Sequence, residues 1–150
     1  MTAMSLPPTV LPELPESLPD GSRILVGADL TTVARVTRLL GEESGIEARV
    51  FTARESAYCR RHRSSGQHFA ARFAAKEAVL KAFGTGVGPG LDWTDVEVIN
   101  NRQGKPDVRL HGGAVDLARE HQVREISLTL THTADIAAAY AALLCGGTVR

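Results

Sequence analysis

Arg72-Phe73-Ala74-Ala75-Lys76-Glu77-Ala78, running on through Lys81-Ala82-Phe83-Gly84-Thr85-Gly86, is the stretch from which the rest of the chain is read. Alanine, leucine, lysine and glutamate favour helix, and residues 67–83 contain neither glycine nor proline. The run predicts one long helix from about Gln67 to Phe83. Phe69, Phe73, Leu80 and Phe83 supply bulk, while Ala70, Ala71, Ala74, Ala75, Ala78 and Ala82 let neighbouring elements approach closely. Phe73, Glu77 and Lys81 recur four apart, which puts Glu77 and Lys81 on one face. An exposed Glu–Lys pair is one account of that spacing. The other is partial burial beside Phe73 and Leu80, where a carboxylate needs a cation, either lysine or a metal.

The loop after the helix, residues 84–90, carries Gly84, Gly86, Gly88 and Gly90. Its glycine spacing is like that of a dinucleotide fingerprint, but the fingerprint follows a strand and opens a helix, so that reading is rejected. A helix C-cap with a flexible turn and a set of backbone amides offered to a phosphate both remain. Gly104-Lys105-Pro106 is not a P-loop, because Pro106 stands where Ser or Thr is required.

Working outward, Ile24-Leu25-Val26-Gly27 reads as a buried strand beginning near Arg23, with Asp29 just past its end. Asp29 is read either as the N-cap of the next helix or as a hard-cation ligand, and one carboxylate can serve both. That helix carries Val33, Val36, Leu39 and Leu40 at helical spacing and ends near Gly41. Thr52 and Glu55 have capping-box spacing and start a second helix. Beyond the glycine loop, residues 95–99 and 107–110 alternate as a hairpin around Asn100–Gly104, followed by a short helix near Gly113–Glu120. Residues 125–131 alternate again, and the alanine-rich run Ile136–Leu144 is assigned as a closing antiparallel strand. His132 and Thr133 sit at the turn before it, as turn residues or as phosphate contacts. The fold class is therefore α+β.

The 150 residues fit one domain. Residues 1–22, with Pro7, Pro8, Pro12, Pro15 and Pro19, are expected to form a flexible leader, and 23–150 the folded domain. Seventeen basic and seventeen acidic side chains cancel, which argues against nucleic acid and anionic membranes as partners; any basic surface must be local, such as the Arg60–Arg63 cluster. No apolar run approaches the roughly 20 residues a membrane-spanning helix needs, and no secretory signal pattern opens the chain. Cys59 and Cys145 lack metal-ligand spacing and read as reduced thiols of a cytoplasmic protein.

The segment Arg72–Gly86 resembles the holo-acyl-carrier-protein synthase family, the small 4'-phosphopantetheinyl transferases. The resemblance extends to Gly27-Ala28-Asp29-Leu30, to Gly104-Lys105-Pro106 and to Ser127–Thr133, in the family's order over about residues 23–145. It implies an antiparallel sheet packed on the long helix, a homotrimer with active sites between subunits, and transfer of 4'-phosphopantetheine from coenzyme A to a serine of acyl carrier protein, in fatty-acid or polyketide synthesis. By motif, Asp29 and Glu77 would hold Mg2+, and Lys81 with Gly84, Thr85 and Gly86 would contact the coenzyme phosphates. Lys105, Pro106, His132 and Thr133 would hold its adenosine 3'-phosphate end, and Arg35 would face the carrier protein. The resemblance leaves the base open between Glu77 and a water on the metal. Ala28 stands where many relatives have a larger residue, Asn101 takes a position often acidic, and the leader has no counterpart. The rival reading is a non-catalytic nucleotide- or carrier-binding module on the same fold.

Overall fold

The computed structural model describes residues 21–42 and 44–146. The expected leader lies outside them apart from its last two positions. Helix α1 spans Val33–Glu42, α2 Ile46–Val50, α3 Ala53–Arg60, α4 Ser65–Phe83 and α5 Gly112–Glu120. Strands β1 (Arg23–Thr32), β5 (Ile136–Cys145) and β4 (Val123–His132) form one antiparallel sheet in the order β1-β5-β4. Strands β2 (Val96–Asn100) and β3 (Pro106–Leu110) form a separate hairpin. The architecture is the expected α+β arrangement, with α4 lying across the three-stranded sheet. The short α2 carries too few residues to show a helical period and was not anticipated.

The alanine-rich run is indeed a strand, and it is central. Ala137, Ala139, Ala141 and Leu143 alternate inward and are buried against α4, whose own alanines meet them. Small side chains on both surfaces bring helix and sheet together. The approach is closest at Gly27, where a Cβ would stand 2.0 Å from the Ala78 carbonyl oxygen and 2.6 Å from the Ala82 amide nitrogen. No rotamer relieves a clash with helix backbone. Gly27→Ala is therefore expected to cost towards the upper end of the roughly 1–3 kcal/mol typical of overpacking, seen as a lower urea midpoint; an unchanged midpoint would contradict this contact.

One expectation is corrected. Strand β1 does not stop before Asp29 but continues to Thr32, with Asp29 opposite Ala139 in the ladder. Asp29 is therefore not a helix N-cap. The β-branched Thr31 and Thr32 favour strand, and it is the Thr32 hydroxyl that accepts the Arg35 amide at 3.2 Å, as a cap should.

The capping box at α3 is present, with the Thr52 amide donating to Glu55 Oε2 at 2.9 Å and the Glu55 amide to Thr52 Oγ1 at 3.2 Å. Glu55 does more than cap. Its carboxylate is fully buried, accepts the Val98 amide at 2.8 Å, and lies 2.8 Å from the equally buried Lys76 Nζ. Lys76 also donates to the carbonyls of Trp93 and Val96. Burial pushes the Lys76 ammonium below its ordinary pKa, against the pull of Glu55. This cluster ties α3, α4 and β2 together behind the face that carries Glu77. Both cysteines are free and buried, and burial raises the Cys59 thiol to about 11. Among the described residues no helix is long and apolar enough to cross a membrane.

Candidate active site

The close approach at Gly27 sets up the site. Two residues further along the same face of β1, Asp29 meets the C-terminal half of α4. Lys81 Nζ donates to Asp29 Oδ1 at 2.7 Å and to the Ala28 carbonyl at 3.2 Å. The lysine's partner is thus across the fold, not Glu77 one turn back. Glu77 is half-buried beside them: burial raises its pKa, the Asp29 charge raises it further, and Lys81 and Arg35 oppose. The hydrogen bond to Asp29 in turn holds Lys81 above its ordinary range, so the ammonium is charged at neutral pH. Arg35 projects from α1 with its guanidinium 5.6 Å from the Phe73 ring centroid. Asp29, Glu77, Lys81 and Arg35 are therefore electrostatic neighbours, which sequence spacing alone could not place together.

Asp29 and Glu77 are neighbouring carboxylates, and such a pair suits a hard cation. Among the described residues no group of three or more His, Cys, Asp or Glu is arranged to hold a metal. Magnesium takes one or two carboxylates and completes its shell with water and substrate phosphates, so a pair of acids is enough to hold it. Thr31, next inward-facing on β1, has a buried hydroxyl without a protein partner beside this pair. Asp29, Lys81, Thr129, Thr131 and Tyr140 border a cavity of about 530 Å³.

The other expected contacts lie elsewhere on the chain. Gly84 takes φ 76° as the cap of α4, and the Gly84 and Thr85 amides donate to the Lys81 and Leu80 carbonyls. Those two amides close the helix and are not free for a ligand, contrary to the expectation that they contact the coenzyme phosphates. Lys105 and Pro106, at the β2–β3 turn, border a second cavity that shares Thr129 and Tyr140 with the first. The Thr133 hydroxyl accepts the Asp135 and Ile136 amides within the β4–β5 turn. His132 contacts His68 at the start of α4, ring centroids 5.4 Å apart, and His68 in turn stacks near His62 at 4.0 Å. Burial, then His62 and His132, lower the His68 pKa. Sequence reading missed His68, Gly27 and the Glu55–Lys76 pair; only the capping box gave a signal, and it did not disclose burial.

With that geometry in place, comparison with known proteins is specific. Residues 25–141 match the family model of the 4'-phosphopantetheinyl transferase superfamily. A holo-[acyl-carrier-protein] synthase of Geotalea daltonii is 44% identical over 114 residues, 75% of this chain and 91% of the relative. A holo-[acyl-carrier-protein] synthase of Geobacter metallireducens is 42% identical over 118 residues, 78% and 94% of the two chains. Among solved structures, the Chronobacterium ammoniagenes ACPS–CoA complex superposes with a TM-score of 0.73 at 28% identity, covering 83% of this chain and 98% of that one. The chain belongs to the 4'-phosphopantetheinyl transferase superfamily.

Proposed function

We propose that the protein transfers 4'-phosphopantetheine from coenzyme A to a serine hydroxyl of an apo-acyl carrier protein, releasing adenosine 3',5'-bisphosphate. The observation that carries this reading is the convergence of Asp29, Glu77 and Lys81 in a chain whose relatives are holo-acyl-carrier-protein synthases. Asp29 and Glu77 would hold magnesium, which when bound neutralises charge on the pyrophosphate. Lys81 is charged and half-exposed, so it can exchange its bond to Asp29 for one to a phosphate oxygen and stabilise the leaving bisphosphate. Burial and then the Asp29 charge raise the Glu77 pKa, so a Glu77 carboxylate oxygen not engaged by the metal is one acceptor for the serine proton, and a water oriented by Asp29 or Glu77 is the other.

The carrier protein's acidic surface would meet Arg35, beside this site. Arg35→Glu is expected to raise KM for the carrier about tenfold or more, the scale of one lost charge-assisted contact, in steady-state assays at saturating coenzyme A. An unchanged KM removes Arg35 from the docking surface.

A homotrimer is part of the same proposal. Ile24, Val26, Leu30, Ile136 and Tyr140 all project from the sheet face away from α4, and each is at least 41% exposed. An antiparallel sheet ordinarily turns polar residues to water, so this apolar face is suited to burial against further copies of the chain. Both cavities described above open beside it, at Tyr140. A neighbouring copy would thereby complete the coenzyme contacts that one chain keeps apart. Val26→Lys with Leu30→Glu should yield monomers by light scattering, whereas an intact trimer would exclude this face. The proposed reaction would serve fatty-acid or polyketide synthesis, in the cytoplasm. Loss of coenzyme A and matching appearance of adenosine 3',5'-bisphosphate, only when apo-carrier is supplied, tests the reaction.

A further inference from the structure

One of the two carboxylates assigned to the metal already carries a cation. Lys81 Nζ stands 2.7 Å from Asp29 Oδ1 and 3.2 Å from the Ala28 carbonyl oxygen. The partners differ in freedom. Asp29 is fixed in the interior of β1 with its side chain 14% exposed, whereas the Lys81 side chain, in the last turn of α4, is 49% exposed on a flexible stem. When the pair is disturbed, the lysine is the member that moves.

A magnesium ion sits about 2.0–2.1 Å from a carboxylate oxygen and tolerates little departure from octahedral geometry. On Asp29 it would stand within a few ångströms of the ammonium, in a partly buried setting where like charges are weakly screened. Glu77, one turn back on the same helix, offers the lysine no refuge, because it is the metal's second carboxylate and already feels the Lys81 charge. Lys81 and the metal therefore compete for one acid. Asp29 and Lys81 both border the cavity of about 530 Å³, so an anion bound there meets the displaced ammonium.

We propose that Lys81 is a cation placeholder: it neutralises Asp29 in the metal's stead, gives the acid up on metal binding and passes to a phosphate oxygen of the coenzyme, so that metal and coenzyme each strengthen the other's binding. This rests on the magnesium and coenzyme reading above and adds to it a regulation of the same site. The coupling is reciprocal, as any linkage between two ligands is. Metal on Asp29 frees the lysine for the phosphate, and phosphate on the lysine clears Asp29 for the metal.

The test is calorimetric and uses the full chain without carrier protein, so that no transfer takes place. Magnesium chloride is titrated into the parent and into Lys81→Met, each with and without saturating coenzyme A. Without coenzyme, the variant should bind magnesium about tenfold or more tightly than the parent, the scale of one charge-assisted hydrogen bond that the metal no longer has to break. The gain in metal affinity brought by coenzyme A should be correspondingly smaller in the variant. A lysine with a merely structural role would not tighten metal binding when removed. In the parent carrying isotope-labelled lysine, magnesium alone should shift the Lys81 ammonium resonance. Magnesium that binds both proteins with equal affinity, or that binds the parent and leaves the Lys81 resonance unmoved, overturns the placeholder role while the metal site stands. Magnesium that binds saturably to neither protein, even with coenzyme A, overturns the magnesium reading and the placeholder with it.

Discussion

Glu77→Gln is expected to lower carrier modification by about 10²–10³-fold in kcat, the scale of removing one preorganised electrostatic contact from a phosphoryl-transfer site. The amide keeps the shape of the side chain, so the fold should survive. Stability should respond in a way that identifies the cause. Glu77 has a folded-state pKa above its ordinary value, so the stability it contributes is fully present below the unfolded pKa of about 4.3 and is lost as pH rises through the folded value. At neutral pH the ionised carboxylate, held partly buried beside Asp29, therefore works against folding. Glutamine removes that repulsion, and the metal-free variant should melt no lower than the parent at pH 7. Added magnesium relieves the same repulsion in the parent, and should raise its Tm while leaving the variant nearly unmoved. Equal magnesium responses in the two proteins would remove Glu77 from the metal site.

Lys76→Met carries the largest expected effect on stability. It deletes an ammonium that meets Glu55 and two backbone carbonyls, in a place where both partners of the pair are fully buried. Glu55 is then a buried carboxylate supported only by the Thr52 and Val98 amides. Breaking such a pair from one side costs about 3–5 kcal/mol. Urea denaturation should show the loss. Adding Glu55→Gln to the same chain should restore part of it, because the uncompensated charge is gone. A single variant with the parent's midpoint would mean that the pair is not what ties α3 to α4. Since Lys76 precedes Glu77 on the helix, loosening it also frees the turn that presents the site.

These two neighbours show which features the sequence disclosed. The long helix, the hairpin, the closing alanine strand and the capping box at Thr52 all follow from local rules, and each is found at or within a few residues of its expected place. Burial of the Glu55–Lys76 pair is different. Its partners stand 21 positions apart, and a capping glutamate on a surface helix has the same sequence as one that reaches a buried lysine. The sequence places Asp29 just past an apolar strand, whereas it lies inside β1. Strand length is decided by the pairing of β1 with β5, a long-range contact that residues 23–32 do not reveal by themselves. The Asp29–Lys81 bond is of the same kind, since it depends on how close Gly27 lets β1 come to α4. Arg72 sat within the most informative stretch of all, yet its unsatisfied Nε is visible only once Asn100 and Tyr58 surround it.

The central claim is that Asp29, Glu77 and Lys81 serve phosphopantetheine transfer. It is tested most directly by the intact mass of an apo-acyl carrier protein incubated with the protein, coenzyme A and magnesium. The predicted result is a gain of one phosphopantetheine on the carrier's serine, abolished by chelation of the metal and lost in Glu77→Gln. A carrier that stays at its apo mass with the parent protein, or one modified equally well by Glu77→Gln, would contradict it.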